Sequence, residues 1–362
     1  MDDFLSMLSD LCRIDSRSSR KEGIRDVMAL LTPCLEERDF TVRIQELKEG
    51  DVSFPVLDAV RGSSDGQVLL LGHADTVLGP QEVPFRIGSQ PDRIYGAGVA
   101  DMKGGLTVLL QTLDRTKKRN LRIVVNGREE IPTQAFRNYI RRNLKAEYCL
   151  NFEPVPPADE GLYAVTARKG LRRFKLESCG KAAHAGNDHA SGVSAVRGLC
   201  GMVEKLESMT DYGRECTVNV GIVRGGSAYN QVPDYAEAEF EIRAFELDVL
   251  ESAVRKAEEL VNGSGTRCKF VLTPGPAFPA FSPNSGTEAL FRKYGKCAER
   301  KGVRVFPISR GGASDSSYVA DLVPVLDGLG PVGGRFHSDE EWALTASFVQ
   351  KAEIAGEFLN QF

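Results

Sequence analysis

The chain has 362 residues, 42% of them apolar and 27% charged, an ordinary composition for a folded protein. Against 50 Asp and Glu stand 46 Lys and Arg, so the formal charge is -4 and supplies no attraction for nucleic acid or an anionic membrane. The length exceeds what one hydrophobic core usually organises, so two domains are expected.

The opening segment MDDFLSMLSDLCRIDSR is acidic and mixes polar with apolar residues, unlike a secretion leader, which begins basic and continues apolar. No run approaches the roughly 18 apolar residues of a membrane span. The eight cysteines are scattered without a C-x-x-C pair and read as free thiols, so a cytoplasmic location is expected. Residues 3–15 set Phe4, Leu5, Leu8, Leu11 and Cys12 on one helical stripe, and 22–37 repeat the pattern. The apolar run GQVLLLG (66–72) suits a buried strand. A helix from Gly105 to about Lys117, the strand LRIVVN (121–126), a helix near 133–143 and the strand AEYCLNF (146–152) follow. Apolar strands separated by amphipathic helices predict an α/β sheet flanked by helices.

The middle of the chain changes character. Segments 171–178 and 216–223 read as strands. In 236–243, Ala236, Ala238, Phe240 and Ile242 alternate with Glu237, Glu239, Glu241 and Arg243, as in a half-buried strand. With helical patterns at 190–208 and 246–262, this predicts an α+β insert of two helices over one antiparallel sheet. After the proline-rich stretch 273–283 the first pattern resumes: a helix at 286–300, strands at 303–308 and 321–327, and a last helix from about Ser338 to Phe358 with Asp339, Glu340 and Glu341 in its first turn. The expected organisation is a catalytic domain over 1–167 and 279–362, interrupted by an insert over 168–278.

Six segments could carry chemistry. His73 and Asp75 follow an apolar strand, at the end where α/β sheets carry ligand sites, and their spacing lets Asp75 orient His73 as a carboxylate orients a metal-bound imidazole. Asp101 sits in the glycine-rich turn Gly96–Gly105, whose spacing fits neither phosphate-loop nor dinucleotide fingerprints. Glu129 and Glu130 follow the strand LRIVVN, and Glu153 ends the next one. His337 precedes the last helix, and His184 lies in the insert. Taken singly, each has an ordinary alternative: a polar loop, a solvated Glu pair, a helix cap, a structural histidine. In order, they offer a mixed nitrogen and oxygen set for two cations.

Through HADTV, YGAGVADMKGG, NFEP, ARKG, KAAHAG and FHSD, the chain resembles the M20 metallopeptidases, nearest their glutamate carboxypeptidase (carboxypeptidase G) branch. The resemblance implies a zinc-peptidase fold with an α+β lid or dimerisation domain, and two Zn2+ per subunit, with Co2+ or Mn2+ as alternatives. It implies His73 and Glu153 on one metal, Glu130 and His337 on the other, and Asp101 bridging them. Glu129 would be the general base, Asp75 the partner of His73, and His184 an oxyanion donor reaching the partner subunit's site of a homodimer built through the insert. Asn230, Arg243 and Gly312 would meet a small-molecule or peptide substrate with a free carboxylate, although Arg243 could instead pair with a strand glutamate. The implied reaction is amide hydrolysis of an N-acyl amino acid or short peptide. A deacylase of the acetylornithine or aminoacylase type, and an inactive peptide-binding dimer, are the alternatives. The chain departs from the family pattern at Arg128, at Pro132-Thr133, and at Thr273-Pro274-Gly275-Pro276, where the branch tends to carry an arginine. The last departure argues against a strict need for C-terminal glutamate.

Overall fold

A computed structural model describes residues 2–88, 92–282 and 284–361. The chain forms two compact units. One comprises Met1–Ala167, Pro283–Arg310 and Ser314–Phe362, and the other comprises Arg168–Ser282 and Gly311–Ala313.

The first unit is built on a six-stranded mixed sheet. Its order is Thr41–Glu49, Val52–Arg61, Leu121–Asn126, Gln67–His73, Ala146–Asn151 and Val325–Leu326. The last four strands run parallel to one another, whereas Val52–Arg61 meets Leu121–Asn126 antiparallel. Every residue of Gln67–His73 and Leu121–Asn126 is buried, the expected state of central parallel strands covered on both faces. The helix Lys103–Leu113 is buried along its whole length, which its apolar sequence KGGLTVLLQTL permits. It packs against Thr345–Gln361. A smaller sheet pairs Gly333–Gly334, Trp342–Leu344, Arg93–Tyr95 and Arg86–Ile87.

In the second unit the strands Thr217–Gly225, Tyr235–Ala244, Gly170–Cys179 and Lys269–Phe278 form one antiparallel sheet in that order. Ala236, Ala238, Phe240 and Ile242 face the core with Leu199, Met202 and Leu206 of the helix Ala195–Glu207 and Leu250, Val254 and Val261 of the helix Leu247–Asn262. The period-two pattern of 236–243 thus becomes the two faces of one strand.

Several expected elements differ. The hairpin Thr41–Arg61 has no counterpart among the expected elements: its outer strand holds only exposed and half-buried residues, too weak a pattern to separate from a loop. The proline-rich stretch is an edge strand as far as Phe278, where prolines are tolerated because no inner neighbour needs their missing N–H. Pro283, at its end, lies outside the described residues. The last helix begins at Thr345, not Ser338, so Asp339, Glu340 and Glu341 belong to the hairpin turn before it. The first helix of the insert starts at Ala195, capped by Ser194 Oγ on Arg197 N, after a short 3-10 turn at His189–Ser191. All eight cysteines are free thiols.

Beneath the parallel strand ends lies a buried polar network. Asp327 accepts from Asn151 Nδ2 (3.1 Å), Ser314 Oγ (2.8 Å) and Ser316 Oγ (2.6 Å). Nearby, the Nζ of fully buried Lys351 donates to Tyr163 O (2.6 Å) and Gly328 O (2.7 Å). Burial pushes this amine down to about 7, against the opposing pull of Asp327. The unfolded chain therefore binds one proton more than the folded chain between about pH 7 and the ordinary lysine range, and stability rises with pH across that window. Urea unfolding of the wild type and Lys351→Met is expected to diverge in the wild type's favour from pH 7 to 9, by up to about 1.4 kcal/mol per pH unit. A pH-independent difference would mean that Lys351 keeps its proton.

Candidate metal centre

The parallel strands deliver the site. His73 ends Gln67–His73, Glu129 and Glu130 lie just past Asn126, and Glu153 lies two residues past Asn151, all at the carboxyl ends of neighbouring strands. Asp101 and His337 arrive on turns: Asp101 between Arg93–Tyr95 and the helix Lys103–Leu113, and His337 in the hairpin between Gly333–Gly334 and Trp342–Leu344. Gly104 and Gly105 explain how close the Asp101 turn comes. A Cβ on Gly104 would lie 2.1 Å from Val99 O, and one on Gly105 would lie 2.0 Å from Phe152 O, so only glycine lets this helix start against the strand end that carries Glu153.

Asp101 stands between two imidazoles. Its Oδ1 is 3.3 Å from His73 Nε2 and its Oδ2 is 3.4 Å from His337 Nε2. His73 Nε2 also lies 3.7 Å from Glu153 Oε1, and His337 Nε2 lies 3.2 Å from Glu130 Oε2. Three groupings bring their ligand atoms within 4.8 Å of one another: His73, Asp101 and Glu153; His73, Glu129 and Glu130; and Asp101, Glu130 and His337. Asp75 lies behind: its backbone O is 2.9 Å from His73 Nδ1, and its Oδ1 is 3.5 Å from the same nitrogen. Its carboxylate accepts from Glu129 N (2.9 Å), Glu130 N (3.3 Å) and Ser18 Oγ (2.7 Å), so one buried residue holds the imidazole through its backbone and both glutamates through its side chain. His337 is held at φ +61°, a left-handed conformation uncommon for a non-glycine residue.

The electrostatics are those of crowded acids. Burial opposes charge on His73, but hydrogen bonds to Asp101 and Asp75 outweigh it and hold the ring well above the ordinary histidine range. Asp101 and Glu130 likewise hold His337 up to about 10. Burial, with Glu153, Asp315 and Glu130 adding repulsion, pushes Glu129 well above the ordinary carboxylate range against the pull of His73. Burial raises Asp315 to about 7, although Asn126 Nδ2 donates to both of its oxygens (3.1 and 2.9 Å). The donor set suits divalent cations: imidazole nitrogens and carboxylate oxygens, no thiolate, and a buried Glu130 Oε1 that lacks any hydrogen-bond partner.

The four remaining candidates belong to the second unit. His184 is exposed and pairs with Gln231 across a two-residue bridge, while Ala185 N donates to Asn230 O (2.9 Å). Both arms of Arg243 are engaged by Glu241: Nε to Oε1 at 2.6 Å and Nη2 to Oε2 at 3.1 Å, with Nη1 on Gly311 O at 3.0 Å. A strand glutamate thus takes the Arg243 fork. Gly312 O accepts from Arg168 Nη1 (3.1 Å). Arg243 also lines a cavity of about 660 Å³ with Arg173, Glu239, Glu241 and the Thr273–Pro276 segment.

The model of peptidase family M20/M25/M40 matches residues 69–361. The chain belongs to that family. Among relatives of this M20 chain, carboxypeptidase G2 of Pseudomonas sp. (strain RS-16) is 28% identical over 351 residues, covering 93% of this chain and 83% of the relative. Acetylornithine deacetylase of Buchnera aphidicola subsp. Acyrthosiphon pisum (strain APS) is 25% identical over 320 residues, covering 80% and 82%. In fold, the M20 chain is similar to the crystal structure of a tripeptidase from Staphylococcus aureus subsp. aureus Mu50, with a TM-score of 0.84 at 21% identity over 99% of this chain and 97% of that one.

One residue that reads as unremarkable in the sequence belongs to this centre. Glu341, 5% exposed, points both oxygens at the backbone of the Asp101 turn. Its sequence context suggested only a carboxylate near a helix start. For Asp75 the geometry makes a quantitative demand. Asp75→Asn replaces one acceptor oxygen with an NH2 that faces N–H donors. Metal-depleted Asp75→Asn is expected to bind Zn2+ about 10- to 100-fold more weakly than wild type in calorimetric titration. Equal affinities would show that Asp75 does not order the set.

Proposed function

We propose that the chain is a dinuclear zinc hydrolase of the carboxypeptidase kind, cleaving the amide bond of an N-acyl amino acid or short peptide with a free carboxylate. The observation that carries this reading is Asp101, whose two oxygens face two different imidazoles, each with a further glutamate beside it. In the proposed assignment His73 and Glu153 serve one cation, Glu130 and His337 the other, and Asp101 both. Divalent cations in such a set supply Lewis acidity at a carbonyl oxygen and acidify water.

The rest of the chemistry falls to side chains. Glu129 takes the proton of the attacking water and passes it to the leaving amine. Its burial among other acids, which pushes its carboxyl up, matches a group that must hold a proton between the two steps. Asp75 keeps the His73 ring oriented. His184 donates to the carbonyl oxygen as it gains charge, from a neighbouring copy in a homodimer formed through the second unit, which is also the lid. Asn230, Gly312 and Arg243 meet the substrate. Because Glu241 occupies the Arg243 fork, a substrate carboxylate competes with it for the same donors. The Thr273–Pro276 segment brings no arginine to that cavity, which supports a tolerance for C-terminal residues other than glutamate. A cytoplasmic location is part of this reading, and among the described residues no helix is long and apolar enough to cross a membrane.

The similarity to an acetylornithine deacetylase keeps a deacylase as the second reading, since the machinery is shared and only the acyl pocket differs. Glu129→Ala tests the mechanism common to both. Assayed against a panel of N-acyl and peptidyl amino acids, the zinc-loaded variant is expected to keep its metal content and lose about 10²- to 10⁴-fold in kcat. A variant with full metal and full rate would remove Glu129 from the reaction.

A further inference from the structure

We propose that Glu341 is a positioning residue: its carboxylate clamps the Asp101 turn to the His337 turn and so sets the distance between the two halves of the metal centre. This rests on the reading of the site as a metal centre. It adds a residue outside the assigned ligand set.

Three observations carry it. The first is the contacts themselves. Glu341 Oε2 accepts from Gly98 N at 3.0 Å, and Oε1 accepts from Ala100 N at 2.9 Å and Asp101 N at 3.0 Å. Both oxygens are thereby engaged by backbone donors, one of them the amide of Asp101 itself. Three N–H donors on two oxygens leave the carboxyl little freedom to turn. The second is what they hold. Residues 97–102 form a turn outside the strands and helices, yet Asp101 must sit between two imidazoles. A loop carries no ladder of its own to fix a ligand to within about half an ångström, so something else must supply the restraint.

The third is where Glu341 comes from. It closes the tight turn that carries His337. Arg335 and His337 both have positive φ, Ser338 Oγ donates to Arg335 O at 2.7 Å, and Glu341 N donates to Ser338 O at 3.2 Å. Directly after it, Trp342 pairs with Tyr95, so the strand leaving the His337 turn is hydrogen-bonded to the strand entering the Asp101 turn. Extended by one residue, this register sets Glu341 opposite Gly96, at the base of the Asp101 turn, and from there its side chain reaches the amides of Gly98, Ala100 and Asp101. A shift in either turn would move Asp101 Oδ2 relative to His337 Nε2.

The test uses the full chain, depleted of metal and titrated with Co2+, comparing wild type, Glu341→Gln and Glu341→Ala. Glutamine keeps one acceptor oxygen, enough for Ala100 N and Asp101 N, and turns an NH2 toward Gly98 N. The expected result is graded: about 10-fold weaker Co2+ binding for Glu341→Gln, about 100-fold for Glu341→Ala, and an altered visible d–d spectrum at saturating Co2+ in both. Amide exchange at Ala100 and Asp101 in the metal-depleted chain should quicken in the same order. A purely stabilising carboxylate would lower the unfolding midpoint but leave affinity and spectrum at saturation unchanged, and that result would overturn the proposal. If Glu341→Ala does not fold, the near-isosteric Glu341→Gln decides: wild-type affinity and spectrum there would equally overturn it. A wild-type chain that binds no Co2+ would overturn the metal-centre reading, whereas wild-type binding with unperturbed variants would overturn the clamp alone.

Discussion

The structure is organised around a concentration of like charge that water cannot screen. Asp75, Asp101, Glu129, Glu130, Glu153 and Asp315 gather around His73 and His337, and most of these side chains are buried. Carboxylates brought together out of water repel one another and lose hydration, so an arrangement of this kind persists only when positive charge compensates it. In the chain alone the compensation is partial: the imidazoles are driven toward their charged forms and Glu129 toward its neutral one. Two divalent cations would neutralise the same oxygens more completely, and Glu130 Oε1, buried without a hydrogen-bond partner, is free to meet one.

The fold is arranged to bear that cost. Parallel strands place three of the acidic segments at one edge of a sheet whose central strands are wholly buried, so the site rests on a rigid floor. Asp75 and Asn126 order the side chains just below the surface, and the Asp327 network with Lys351 satisfies polar groups deeper in. The two proposed ligands that come on turns, Asp101 and His337, need different support. Glycines allow the first turn to approach closely, a left-handed backbone aims the second, and Glu341 joins them.

Much of this was legible in the sequence, for physical reasons that can be named. GQVLLLG and LRIVVN read as strands because burial on both faces leaves continuous apolar runs, and the candidates His73, Glu129 and Glu130 could be placed because they follow those runs closely. The strict alternation of 236–243 mapped onto the two faces of an antiparallel strand because a sheet covered on one side has that period. What was not legible depended on long-range contacts. Glu341 is 240 residues from the amide of Asp101 that it accepts from, and its neighbours Asp339 and Glu340 make the segment look like a helix start. The pairing of Arg243 with Glu241 was open in the sequence, since two residues on one strand face can pair with each other or with a ligand. The outer hairpin strand Thr41–Glu49 was hidden because no residue in it is fully buried.

The central claim is that this acidic cluster is a site for two divalent cations sharing Asp101. The most direct measurement is the stoichiometry of Zn2+ in the purified chain, determined by elemental analysis after equilibrium dialysis, for the wild type and for Asp101→Ala. The account predicts two Zn2+ per wild-type chain and a variant that cannot hold both, because the group serving each position is gone. A wild-type chain that holds one Zn2+ or none, or an Asp101→Ala chain that still holds two, would contradict it.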